Sequence, residues 1–294
     1  MSVLDAGPDR AAEERPAAGE LLRFVALGDS LTEGVGDQVG EQWRGWAAVL
    51  ARSLAPEGRA VEFTNLAYSG ALTADLTAHQ LTDALDRRPQ LAAVVVGGND
   101  TLRAGFDIRR TTLELDATLG ELARHGAVLL TACLPDPGAL LRLPAPLARP
   151  LARRMRAVNT VVHALTVRHR AVHLHLAELP WCARRGLLSV DRLHPSAAGH
   201  HLIARRFHEL LTTAGHPLGP PPAAEPAEPP PGLAADLWWM ATRGTRWVAA
   251  RSTDLLPGLL ALAAAEGAAR LRGSSGRHDE QMARAAAQAL AALG

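Results

Sequence analysis

The chain has 294 residues, 48% of them apolar, enough for a sizeable core in one large domain or in one domain with appendages. Its 31 basic and 30 acidic side chains leave a formal charge of +1, which argues against electrostatic capture of nucleic acid or of an anionic membrane. Every basic side chain is an arginine, so a pyridoxal Schiff base and a lysine-bearing phosphate loop are both excluded.

Residues 1–20 are rich in Ala, Glu, Arg and Pro and read as a disordered leader. They mix acids and bases without an apolar stretch, unlike a secretory signal. From residue 22 short apolar runs alternate with segments of helical period. The runs are RFVALG (23–28), VEFTNL (61–66), AAVVVG (92–97), AVLLTA (127–132) and AVHLHL (171–176); the helical segments cover 43–55, 73–86, 109–125, 147–169 and 196–213. Nearly all-apolar strands alternating with helices predict a parallel sheet covered on both faces, with ligands at the carboxyl ends of the strands.

A proline-rich stretch over 216–232 predicts an extended spacer after a domain at 21–215. The remainder, 233–294, reads as a helical extension with helices at 237–251 and 254–271. A weaker helix follows the flexible GSSGR at 280–293, and the last part of the extension is a candidate for disorder. Trp238, Trp239 and Trp247 concentrate aromatic surface there. Such a strip calls for burial, by docking on the core, by a homodimer contact through these helices, or as a lid. The longest greasy run, 255–265, is too short to span a bilayer, so no integral membrane segment is expected and the default location is cytoplasmic.

The chemistry concentrates at strand ends. The first strand runs into Gly28-Asp29-Ser30, which puts a hydroxyl at the active edge of the sheet. A serine needs a base within hydrogen-bond reach to act as a nucleophile. Asp191-Arg192-Leu193-His194-Pro195 supplies one: His194, three positions after Asp191 and just before a helix, can hold the carboxylate on one ring nitrogen and face Ser30 with the other. Two further strand ends, Asn65 to Gly70 and Gly97-Gly98-Asn99-Asp100, offer oxyanion donors. The Gly70 amide and the Asn99 side chain join the Ser30 amide there.

Taken in order, GDSLTEG, the turn ending at Gly70, GGND and the terminal Asp-x-x-His-Pro resemble the SGNH hydrolase superfamily of GDSL-type esterases and lipases. The resemblance covers residues 22 to about 213. It implies an α/β class, flavodoxin-like α/β/α sandwich with a five-stranded parallel sheet. It also implies Ser30 as nucleophile, His194 as base oriented by Asp191, an oxyanion hole of Ser30, Gly70 and Asn99, and a small-molecule ester as substrate. The same site would serve an acyltransferase or a deacetylase of a sugar or small metabolite, and a binding protein that has lost turnover is the alternative outside enzymology.

The neighbouring residues have plainer readings. Asp29 secures its turn, Asp100 braces its loop, and Arg103 pairs with Asp107 rather than clamping an anion. His200 and His201 pack or cap, and Cys133 is a buried thiol. The free thiols Cys133 and Cys182 have no paired spacing. His173 and His175 share a strand face, but two histidines without a third ligand make no metal site, so neither metal nor organic cofactor is expected. In the proline-punctuated segment 135–150, Leu140, Leu141 and Leu143, with Leu147, form either an acyl-chain wall or ordinary core packing.

Overall fold

The computed structural model describes residues 21–56, 60–181, 186–224, 226 and 245–294. The leader, Cys182, Trp238, Trp239 and the side chain of Trp247 lie outside the described residues. Five strands, β1 (Leu22–Gly28), β4 (Val61–Asn65), β5 (Leu91–Val95), β6 (Val128–Ala132) and β7 (Val172–Leu174), form one parallel sheet in the order β4-β1-β5-β6-β7. A separate two-stranded ribbon, β2 (Gln38–Val39) with β3 (Gln42–Trp43), follows the first turn and is held by the buried Asp37, whose carboxylate accepts two bonds of 2.9 Å from Arg44. This is the flavodoxin-like α/β sandwich, and the strand order reverses between β1 and β5, where such sheets open a crevice at their carboxyl ends.

Alternate strand residues serve the two faces. Phe24, Ala26, Ala93, Val95, Leu130 and Ala132 meet α2 (Gly45–Ala51) and α9 (Ala197–Thr213). The alanines on this face leave room for Trp46 and Phe207, whose rings stack at 4.8 Å. Val25, Leu27, Ala92, Val94 and Leu129 instead meet α6 (Ile108–Arg124), α8 (Ala145–Arg168) and the helical stretch from Thr73 to Asp86. That stretch is α3 (Thr73–Asp75), one π-helical turn (Leu76–Gln80) and α4 (Leu81–Asp86) in succession. Among the described residues no helix is long and apolar enough to cross a membrane.

Four boundaries depart from the expectations. The segment 135–150 is largely helical: α7 (Pro137–Leu140) is capped by Asp136, and α8 already begins at Ala145, because Pro137 and Pro146 sit in first turns, where the missing N–H costs nothing. Strand β7 stops at Leu174, and Leu176–Glu178 turns as a 3-10 helix. The proline-rich stretch does not leave the core at 216. Leu218 packs on it, and His208 and His201 donate to the carbonyls of Gly219 and Ala223 at 2.9 and 3.2 Å. The last helix is Ser275–Ala291, starting five residues early, and its N-terminal part is tied down by Asp279, which takes bonds from Arg153 and Arg156.

The described end of the extension docks on the core. A helix at Thr245–Leu271 lies along α8, and the final helix packs on α6 and α8, with Ala286 buried and Met282, Ala285, Leu290 and Leu293 against the lower core. The polar anchor is Arg153, 9% exposed, which reaches Glu266 (3% exposed) at 3.0 Å and Asp279 at 2.8 Å. Breaking a buried pair by deleting one partner strands the other charge. Arg153→Ala is therefore expected to lower unfolding free energy by about 3–5 kcal/mol in urea melts, and adding Glu266→Gln should recover part of the loss.

Candidate active site

At the carboxyl end of β1 the chain turns at Gly28, whose φ is +152°. A Cβ there would stand 2.2 Å from the Val95 carbonyl, so only glycine lets β1 come this close to β5. The buried side-chain amide of Gln80 brackets the turn, donating to Gly28 O at 2.9 Å and accepting from Gly28 N at 2.8 Å. Asp29 then caps the one-turn helix α1 (Ser30–Glu33) by accepting from Leu31 N at 3.0 Å. Ser30 is its first residue, with the hydroxyl turned to the crevice.

The loop from Asp191 to Pro195 comes to Ser30 from the other end of the core sequence. Gly36, at φ +102°, makes room for it, since a Cβ there would lie 2.0 Å from Pro195 O. Ser189 N donates to His194 O at 2.8 Å, and Arg192 sits at φ +58° in the same tight turn. Asp191 accepts from the amides of Leu193 and His194 at 2.9 and 3.0 Å and from His194 Nδ1 at 2.6 Å. With Nδ1–H so engaged, Nε2 carries the lone pair and lies 2.7 Å from Ser30 Oγ. Behind them, the fully buried His200 accepts from Trp46 N at 3.1 Å and donates to Val35 O at 3.0 Å; burial holds it at a pKa of about 4, hence neutral. It is the packing group expected.

Two carboxyls near Ser30 are set apart by their surroundings. Burial pushes Asp191 up, but the hydrogen bond and charge of His194 with the two backbone amides outweigh it, so the group lies below its ordinary range. Asp29 has one backbone amide; burial dominates and raises it to about 6, with Asp100 and Glu33 adding while Leu31 N and His194 pull back.

Asp100 braces the site as expected, taking Thr73 N at 3.1 Å and Thr73 Oγ1 at 2.6 Å. Asp107 accepts from Arg109 N to cap α6, and the main chain at Arg103 receives a bond from Arg154. Asn99 lines the crevice; its Nδ2 donates to Ala71 O at 3.1 Å and is 3.5 Å from Asp29 Oδ2. Gly70 stands in the adjoining turn and is not among the lining residues. Of the four leucines read as either an acyl wall or core packing, Leu140 lines the crevice; Leu141, Leu143 and Leu147 do not. Leu140 ends the α7 turn pointing inward, and the chain then reverses at Arg142 (φ +52°), with Leu143 N bonded back to Gly138 O. Apolar lining that the sequence did not single out comes from Leu31, Leu102, Leu134, Met155, Leu176 and Trp181.

A second cluster departs from expectation. His163 on α8 and Cys133 just past β6 join His173 and His175, so four ligating side chains meet where two were read. Burial, then the neighbouring imidazoles of His163 and His175, depress His173 to about 4.

Residues 26–202 match the model of the GDSL-like Lipase/Acylhydrolase family. An acetylxylan esterase from Geobacillus stearothermophilus is 26% identical over 216 residues, which cover 65% of this chain and 93% of that protein. A crystal structure of an acetylxylan esterase from the same organism superposes with a TM-score of 0.53 at 20% identity, covering 65% of this chain and 94% of that one. An alpha/beta hydrolase enzyme from the metagenome of Lake Arreo, Spain, superposes with a TM-score of 0.53 at 22% identity, covering 67% and 98%. These superpositions bear on the fold alone.

An acid whose folded pKa lies near 6 rather than 3.8 binds its proton more tightly when folded, so its stabilising contribution is present below pH 4 and lost as pH rises through 6. Asp29→Asn keeps the cap acceptor and removes that loss. The variant should match the parent near pH 4 and exceed it by about 3 kcal/mol above pH 6 in paired urea titrations; a constant difference across that range would contradict the assignment.

Proposed function

The chain belongs to the GDSL-like lipase/acylhydrolase family and is a carboxylic ester hydrolase, and from that premise we propose that it works through an acyl-enzyme on Ser30. The observation that carries this reading is the Ser30 Oγ to His194 Nε2 bond of 2.7 Å, backed by Asp191 at 2.6 Å. His194 takes the hydroxyl proton as Oγ attacks the ester carbonyl. Asp191, held ionised by His194 and two amides, stabilises the imidazolium that forms. His194 then returns the proton to the leaving alcohol. Water, activated by the same ring, cleaves the acyl-enzyme and regenerates Ser30.

The tetrahedral oxyanion would be received by the amides of Ser30 and Gly70 and by Asn99. Asn99 keeps one Nδ2–H on Ala71 O, which orients the amide, and turns the other from its long contact with Asp29 to the developing charge. Leu31, Leu134, Leu140 and Trp181 form an apolar wall beside Ser30 and suit a short acyl group. The similarity to an acetylxylan esterase favours a second reading, removal of acetyl groups from a carbohydrate, by the same steps.

Ser30→Ala should abolish turnover of p-nitrophenyl acetate with an unchanged circular dichroism spectrum. Asp191→Asn should keep the fold and lower kcat by roughly 10⁴-fold, and Asn99→Ala by about 10²–10³-fold. Esters from acetyl to palmitoyl, run beside acetylated xylooligosaccharides, should show kcat/KM falling with acyl length; a maximum at long chains would overturn the short-acyl assignment.

A further inference from the structure

We propose that Cys133, His163, His173 and His175 bind one Zn²⁺ ion. Their ligand atoms, one sulfur and three ring nitrogens, lie within 4.8 Å of one another. Tetrahedral zinc with bonds of about 2.0–2.3 Å separates its ligand atoms by about 3.3–3.8 Å. The cluster therefore needs to contract by about an ångström, which His163 and His175 can supply, because both are exposed and free to turn at the side chain.

The fold brings the four together through the order of its elements. His173 lies in β7 and His175 just past its end, and both rings meet that of His163 on α8. Cys133 follows β6, the neighbour of β7, and its amide donates to Leu174 O at 3.2 Å. The rings stand edge to face around a common point, with centroids 4.7, 4.9 and 5.2 Å apart.

One of the four is already prepared as a ligand. His173 Nδ1 faces the hydroxyls of Thr131 and Thr166 at 3.0 and 3.2 Å, and these lie 2.8 Å from each other. A proton on Nδ1 leaves the electron pair on Nε2, the arrangement by which outer hydroxyls and carboxylates orient metal-bound histidines. That Nε2 is buried and has no hydrogen-bond partner. Cys133 is 2% exposed; burial pushes its thiol up while the Ala177 amide pulls back, so the thiolate would form as the cation binds and displaces the proton. Glu178 stands beside the cluster, 3.8 Å from His175 Nδ1 and 76% exposed, placed to orient that ring from outside.

Three imidazoles and one thiolate form a borderline-soft set that suits zinc, and four protein ligands leave no position open for a water. The ion would thus be structural. It would tie β6, β7 and α8 together directly behind Leu134 and Leu176, which line the crevice.

The full chain, stripped with a chelator and dialysed, is titrated with Co²⁺ as a spectroscopic stand-in and then with Zn²⁺. The expected result is one equivalent bound, with visible bands of a tetrahedral site and a near-ultraviolet thiolate-to-cobalt band, both erased by one equivalent of Zn²⁺. Cys133→Ser should lose the thiolate band. The double variant His163→Ala/His175→Ala changes only exposed side chains, so it should fold normally by circular dichroism and lose one-to-one uptake. Absence of the thiolate band in the parent, or the same uptake by the double variant, would overturn the proposal and leave a packed histidine cluster without a metal.

Discussion

The close approach of β1 to β5 is the constraint on which the crevice depends. At the point where strand order reverses, nothing larger than a hydrogen fits between Gly28 and the Val95 carbonyl. The turn carrying Ser30 and the turn carrying Asn99 therefore leave the sheet side by side. Gln80 satisfies both the donor and the acceptor of Gly28 in a place water does not reach. Its π-helical turn, a widened helical geometry that recurs at functional sites, sets it at that height on the lower face.

Around this point the same chemical group is put to different uses by its neighbours. Asp191 is given two amides and an imidazole and stays charged; Asp29 is given one amide and a dry pocket and is drawn toward neutrality near pH 6. Asp100 turns both oxygens to Thr73 and joins the third turn to the second. None of these carboxyls could exchange roles, because each role is conferred by the donors at hand.

What was legible in the sequence was whatever depends on local spacing. Alternating apolar runs gave the five strands, and the short separation from Asp191 to His194 gave a carboxylate–imidazole pair that a single turn can form. Ser30 and Asn99 follow strand ends and are read from that position, whereas the apolar lining from Leu102, Met155 and Trp181 has no such signal. Contacts between distant segments were not legible. Gln80 looks like any helical glutamine until the strand order puts it under Gly28, 52 residues away. His163 and Cys133 carry no paired spacing and meet His173 only because β6, β7 and α8 are neighbours. Leu141 and Leu143 were grouped with Leu140 because a loop has no period to tell them apart, whereas the α7 turn does.

The anchoring of the extension by Arg153 has a consequence for the order of events at the ribosome. Glu266 is made 113 residues after Arg153, a delay of roughly 6–23 s at ordinary rates of synthesis. The sheet and the Ser30 crevice are complete in sequence well before that. The nascent domain therefore emerges with the outer faces of α6 and α8 uncovered and a cation waiting on one of them. The closing helices arrive as a last shell, and any chain cut short before Glu266 keeps that face bare to chaperones and proteases for the whole of its life.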